Sequence, residues 1–315
     1  MSRFNRTYRL LVGPAGREGV EITPPIRITF DIEKTTAEEP NVIKIRIHNL
    51  KPERRREFEA KDLRVRLYAG YAEEDGALLM CAGSIVDAFS FADGPTWVTE
   101  LHVRDGYAEI RDTAVSLSYN AGAVSSAILK DISGQMGLPL LLGEDVPERS
   151  WANGFSFYGP ARSALHKVTA GAGAEWSIQN QELQIVAKKG VTRRQAFVLA
   201  ADSGLVGHPQ RTSENAREKA KVKDLTTGDD ARLVSAKQQR HGWRVTSLLL
   251  PTLNPGDLVM SESRTFQGFW RVESLQHTGD SEQGDWQTEM QLVDRDAKPS
   301  GNKKGIQMKV DGFKK

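Results

Sequence analysis

Cysteine is almost missing from this chain: Cys81 is the only one in 315 residues. An intrachain disulfide and a thiolate metal cluster within one chain are therefore excluded. Cys81 lies in Leu78-Leu79-Met80-Cys81-Ala82, where a thiol reads as a small buried hydrophobe rather than a reactive group. Long apolar runs are missing too, and no stretch approaches the ~18 residues that a membrane helix needs. The opening Met1-Ser2-Arg3-Phe4-Asn5-Arg6 lacks the apolar centre of a secretion signal, so synthesis and folding in a cytoplasm are expected. In that setting the Asn5-Arg6-Thr7 sequon carries no information. An excess of one charge is also lacking. The 43 basic and 41 acidic residues leave a formal net charge of +2, interleaved along the chain. That balance supplies no electrostatic case for nucleic acid or a membrane surface.

Catalytic motifs are equally scarce. There is no G-x-x-x-x-G-K-[ST] phosphate loop, no H-E-x-x-H and no G-x-S-x-G elbow. Gly171-Ala172-Gly173 lacks the third glycine of a dinucleotide loop and follows a predicted helix rather than a strand, which makes it a turn before Trp176. The six histidines (His48, His102, His166, His208, His241 and His277) fall one per element, without the spacing of a zinc site. Carboxylates are numerous enough to hide a glycosidase-type pair, but surface solvation accounts for most of them. No catalytic, cofactor-binding or metal-ligating residue is assigned, and a non-enzymatic protein is expected.

What the sequence does have is alternation. Apolar and polar residues exchange at period two in Ile26-Arg27-Ile28-Thr29-Phe30-Asp31-Ile32-Glu33, the mark of a half-buried strand. From Val42 to Leu50, Ile43, Ile45 and Ile47 oppose Lys44, Arg46 and His48. Leu63, Val65, Leu67 and Ala69 alternate with Arg64, Arg66 and Tyr68, and the series continues through Leu78–Phe89 and Thr96–Val103. Between these strands, Lys51-Pro52-Glu53-Arg54-Arg55-Arg56-Glu57-Phe58 predicts one short helix with proline in its first turn. A β-barrel or strongly curved sheet of about 110 residues follows from this order.

The pattern changes near residue 110. Val124, Ala127, Ile128 and Ile132 recur at helical spacing, with Gly137 placed to stop the helix. A second helix is predicted from Ala161 to about Thr169 with Leu165 and Val168 inward. Glu175-Trp176-Ser177-Ile178 and Leu183-Gln184-Ile185-Val186 then form a hairpin around Gln179-Asn180-Gln181. The stretch 211–239 is charged and poor in apolar residues. It reads as a long surface loop or mobile flap, or as a polar helix that packs only in an assembly. Strand patterns return with Trp243-Arg244-Val245 and Leu248-Leu249-Leu250-Pro251, then a turn at Asn254-Pro255-Gly256-Asp257. Phe269–Leu275 and Trp286–Leu292 alternate again across a loop at 279–285. The Lys/Gly-rich end is expected to be a flexible basic tail. The division is 1–115, a first β-domain; 116–192, a small α/β insert; 193–296, a second β-domain carrying the charged loop 211–239; and 297–315, the tail.

Three further features have a bland and a sharp reading. Arg54-Arg55-Arg56, hemmed by Glu53 and Glu57, is a solvated helix face before it is a phosphate or partner site. Trp97, Trp243, Trp270 and Trp286 sit in strand-like positions, as barrel core or, more sharply, as subunit contacts. The basic tail from Lys303 reads as an unstructured terminus before it reads as a match for an acidic partner.

Taken in order, the elements resemble a known family, the baseplate hub proteins of contractile-tailed phages, often called late control protein D or tail hub proteins. The parts that carry the resemblance are Tyr8-Arg9-Leu10-Leu11-Val12-Gly13, Ile28–Thr35, Pro40-Asn41 and Ile45–Leu50. In the second half they are Ser203-Gly204-Leu205-Val206-Gly207-His208-Pro209, Leu248–Pro251 with Asn254–Val259, Gly279-Asp280 and Trp286–Glu289. The resemblance implies a mainly β (α+β) chain with two tube-forming β-barrel-like domains flanking the insert. It implies a homotrimer whose pseudo-sixfold ring joins the sixfold tail tube to the threefold central spike, a symmetry adaptor in the virion baseplate. Its partners would be a tail tube or tube-initiator protein above and the spike below, with tape-measure and baseplate wedge proteins as further contacts, and no specific nucleic acid or membrane. The polar faces of strands would line the lumen, although Arg27, Lys44 and Arg46 are not assigned to it. A tail-associated cell-wall hydrolase and a tube-initiating or spike-proximal adaptor of the same particle are the alternatives. No lysozyme-like or peptidase extension and no spike-forming repeat is recognisable.

Overall fold

The computed structural model describes residues 5–17, 19–60, 62–188, 190–192, 196–200, 204–221, 233–262 and 266–294. The fold is mainly β, with the expected alternation as its cause. The first region runs β1 (Arg6–Pro14), β2 (Val20–Ile22), β3 (Ile28–Thr35), β4 (Val42–His48), α1 (Pro52–Phe58), β5 (Leu63–Tyr71), β6 (Gly76–Asp93) and β7 (Thr96–Arg104). In β3 the side chains of Ile28, Phe30 and Ile32 are buried while Asp31 and Glu33 are exposed, as period two requires. Proline stands in the first turn of α1, where its missing N–H costs nothing, and only Phe58 of that helix is buried.

The insert follows as α2 (Tyr107–Asp112), β8 (Ala114–Tyr119), β9 (Ala123–Val124), α3 (Ser125–Met136), β10 (Leu140–Leu142), β11 (Ser150–Trp151), β12 (Phe155–Pro160), α4 (Ala161–Ala172), β13 (Ala174–Gln179) and β14 (Glu182–Ala187). The helix over Ala127 and Ile132 is borne out. Gly137 ends α3 in the left-handed conformation at φ 69°, and the Leu138 N–H reaches back to the Ser133 carbonyl at 3.1 Å. α2 was not foreseen; none of its residues is buried, so it carries no apolar stripe. β13 and β14 form the expected hairpin, with β10 added in parallel to β14.

The last region holds β15 (Phe197–Leu199), β16 (Leu205–Lys221), β17 (Leu233–Leu248), β18 (Leu258–Glu262), β19 (Gln267–Asp280) and β20 (Trp286–Asp294). Here the structure corrects the reading of 211–239. Its described residues are neither loop nor helix but the paired strands β16 and β17, in register from Gln210↔Arg244 to Lys221↔Leu233. Backbone hydrogen bonds carry this hairpin outward from the sheet without apolar alternation, which is why no strand was legible there. The tail 297–315, with Lys303, lies outside the described residues.

One 13-stranded sheet contains strands of both β regions, in the order β16-β17-β20-β19-β3-β4-β7-β6-β5-β1-β2, with β18 and β15 branching from β19. The join is antiparallel pairing of β19 with β3, from Ser274↔Thr35 to Asp280↔Thr29. Three apolar clusters lie against this scaffold. One fills the first region and takes in Leu249 and Trp286, one fills the insert around Ile128, Leu165 and Trp176, and one fills the last region around Val259, Phe266 and Leu292. The clusters share no residue.

Candidate functional site

The inward face of β3 ends on a charge. Lys34 follows Ile28, Phe30 and Ile32 on that face and is fully buried. Its Nζ donates to the Met80 carbonyl at 2.6 Å, to Asn180 Oδ1 at 2.8 Å and to Asn254 Oδ1 at 2.8 Å. These three acceptors come from the first β region, the insert and the last β region, so one ammonium ties the three parts together. A buried ammonium survives only if such acceptors replace its water.

Asp105, at the end of β7, is buried beside it. Its carboxylate accepts the Asn180 N–H at 2.6 Å and the Gln181 N–H at 3.0 Å. Both turn residues have positive φ, 57° and 63°, so the two-residue hairpin turn aims its amides at one point. Desolvation pushes the Asp105 carboxyl up to about 7, against the opposing pull of Lys34 and the two amides. His277 on β19, also buried, lies 2.8 Å through Nδ1 from Thr288 Oγ1. Burial, with Lys34 nearby, lowers its pKa well below the ordinary histidine value and keeps the ring neutral.

Around this centre the insert meets the sheet through polar groups. Asn41 Nδ2 donates to the Ile178 carbonyl at 3.0 Å and to Gln179 Oε1 at 2.9 Å, and Gln179 Nε2 donates to the Thr35 carbonyl at 2.8 Å. Gln184 Nε2 donates to the Pro255 carbonyl at 2.8 Å, and the buried Arg271 pairs with Glu175. At the rim, His166 Nδ1 lies 3.0 Å from Glu38 and Arg162 lies 2.5 Å from Glu39.

A second feature is the solvent face of the same sheet. Cross-strand register lines up Gln287, Thr278, Asp31, Lys44 and His102 in one row, and Glu289, Gln276 and Glu33 in the next. Glu100 anchors the β4–β7 end of this face. Arg46 Nε and His102 Nε2 each lie 2.6 Å from its oxygens, and Lys44 lies at 3.9 Å. Burial alone would raise the Glu100 carboxyl, but hydrogen bonds from His102 and Arg46 together with the neighbouring cations hold it below its ordinary value. Arg27 makes a two-toothed bond to Asp280 across the β3–β19 join, at 3.2 and 2.6 Å. Phe89 and Phe91, with centroids 6.0 Å apart, lie half-exposed beside His102.

The residues singled out in the sequence distribute as follows. Cys81 is buried, and its thiol is pushed up to about 12 by burial. His102, His166 and His277 have separate side-chain partners. The buried Nε2 of His48 has no hydrogen-bond partner among the described residues, His208 is exposed on β16, and the side chain of His241 lies outside what is described. Among the described residues no group of three or more His, Cys, Asp or Glu is placed to hold a metal. Arg54 pairs with Glu57 at 2.6 Å on the open face of α1, and Arg55 lies over Trp97 at 4.1 Å. Trp286 is core, and Trp243 and Trp270 flank Phe266 at 4.9 and 5.0 Å. Trp97 corrects the core reading: it is 46% exposed, because β4 covers β7 only as far as Val98. The residues of the polar centre, Lys34, Asp105 and His277, were not picked out. Their one signal was a lysine at the fourth inward position of an otherwise apolar alternation.

No family model and no curated protein matches this chain. Solved structures do. The tail protein from Neisseria meningitidis superposes with a TM-score of 0.60 at 11% identity, covering 91% of this chain and 96% of that one. The 43 kDa tail protein of prophage MuSo2 from Shewanella oneidensis gives 0.60 at 12% identity over 91% and 97%. An E. coli component of the type VI secretion system, described as structurally similar to the T4 tail proteins gp27 and gp5, gives 0.54 at 8% identity over 90% and 76%. At these identities the likeness is one of fold, and it extends over nearly the whole of this chain.

Proposed function

We propose that this chain is a structural subunit of the tail baseplate of a contractile phage or phage-like particle, and within it the hub. In this reading three chains close into a ring, each giving one tube segment from its first β region and one from its last. The ring then presents pseudo-sixfold symmetry to the tail tube and threefold symmetry to the spike. The observation that carries the reading is the β3–β19 join, which sets strands of both β regions side by side in one sheet within a fold shared with phage tail proteins. Ring closure would also pair sheet edges that a lone chain leaves open. The row Gln287, Thr278, Asp31, Lys44 and His102 supports a wall that is wet and of mixed charge, past which a polymer slides without adhering. The buried ionisable groups face one another at the junction of the three parts, which favours a structural role over catalysis.

Light scattering on the purified protein, with negative-stain class averages, tests this. A trimer, or a monomer that forms threefold rings with six similar lobes when tube or spike partners are added, is the expected result. A monomer indifferent to those partners would overturn it, and a sixfold ring would move the chain to the tube.

A further inference from the structure

The insert and the sheet are joined by polar contacts, and this decides how the join can fail. The insert has its own apolar core, sharing no residue with the clusters of the sheet. Between them stand Lys34, Asp105 and Asn41 on the sheet side and the Gln179-Asn180-Gln181 turn on the other. Burying ions costs several kcal/mol each, and an apolar seam of equal area would hold more tightly. A hydrogen-bonded seam, by contrast, exchanges its bonds for bonds to water once its faces part. Joins of this kind inside a chain behave like those between transient partners.

The crossing point is equally specific. Gly106, directly after Asp105, has φ +68°, and a Cβ there would come within 2.5 Å of Ile178 Cδ1. Only glycine lets the chain leave β7 and pass beneath the hairpin, and glycine is also the residue that best absorbs a change of direction.

We propose that the α/β insert is a releasable unit, which undocks from the sheet about Gly106 with its own core intact. The bonds that break are those of Asp105, Lys34 and Asn41 to the β13–β14 turn, those of Gln179 to Thr35, Gln184 to Pro255 and Arg271 to Glu175, and the rim pairs Glu38–His166 and Glu39–Arg162. The insert's helices and the sheet both stay folded.

Hydrogen exchange on the full chain in low denaturant reads this directly. The amides of Asn180 and Gln181 should exchange at least ~10-fold faster than those of Ile45 in β4 and Ile132 in α3, through an opening short of global unfolding. Equal rates at all four positions would overturn the proposal, and so would loss of Ile132 protection together with the turn, since the insert would then be melting rather than moving. A second measurement separates undocking from local fraying. Glu38→Cys with His166→Cys, bridged by a short bis-maleimide, ties the far rim of the seam while the buried Cys81 stays unreactive. The bridge should slow exchange at Asn180 and Gln181. Unchanged exchange would mean that only the turn frays.

Discussion

Lys34 occupies a position where the three preceding inward residues of β3 are Ile28, Phe30 and Ile32. The strand keeps its period, but its end lies over the meeting point of three clusters instead of the middle of one, so the buried group there must hold parts together across polar surfaces. Lys34→Met would leave Asp105, Asn180 and Asn254 without their buried cation. The expected loss in urea denaturation is about 3–5 kcal/mol, the cost of breaking a buried pair from one side. Adding Asp105→Asn to Lys34→Met should recover part of it, giving a coupling of at least ~1 kcal/mol in the double-mutant cycle. A single variant as stable as the parent would show that the ammonium contributes nothing. Stability should also carry the mark of these groups in its pH dependence. The Asp105 pKa is raised from 3.8 to about 7, so its contribution is full at acid pH and is lost as pH rises through 7. His277 works in the opposite sense: its pKa is depressed, and its contribution is lost as pH falls below 6.5. Asp105→Asn should therefore flatten the decline in stability between about pH 4 and pH 7 while leaving the acid-side loss from His277. Parallel curves for variant and parent would refute the assignment.

Among the elements, the β3–β19 pair matters most, because it makes one sheet of two β regions. Gly279 faces Phe30 across this pair, and a Cβ at Gly279 would lie 2.1 Å from the Phe30 ring. The ring fills the space that glycine leaves and meets Trp286 edge-on at 5.1 Å. Gly279→Val should displace Phe30 and cost more than the usual ~1–3 kcal/mol of an overpacked site, and Trp286→Ala should cost about 3–5 kcal/mol. Both are read as shifts in the denaturation midpoint, with loss of assembly where the join fails; an unchanged midpoint in Trp286→Ala would remove that residue from the join. Elements with an apolar period were legible beforehand. The β3 and β4 alternation, α1 with its proline, α3 with Gly137, α4 and the β13–β14 hairpin all came from local pattern. The β16–β17 hairpin and α2 did not, since the first is charged along its length and the second buries nothing. Trp97 looked like core because its strand does, and only the point at which β4 stops exposes it.

At the scale of the molecule, two β regions separated in sequence by the whole insert share one sheet, while the insert keeps its own core. β3 and β20 both pair with β19, so amides of the two regions should lose protection together in denaturant, as one cooperative unit. Separate loss in β4 and β20 would show that the sheet is continuous in hydrogen bonding but not in cooperativity. The strand and helix periods, the mainly β class and the scarcity of recognisable catalytic motifs were readable from the sequence, because each of these is written in neighbours a few residues apart. The tertiary structure alone decided that the two β regions join edge to edge, that a lysine, an aspartate and a histidine are buried at their junction with the insert, and that the solvent face carries mixed charge in rows. The physical reason is distance along the chain. Lys34 meets Asn180 and Asn254 only after the sheet has closed over them, and no local pattern encodes a partner separated by 146 or 220 residues.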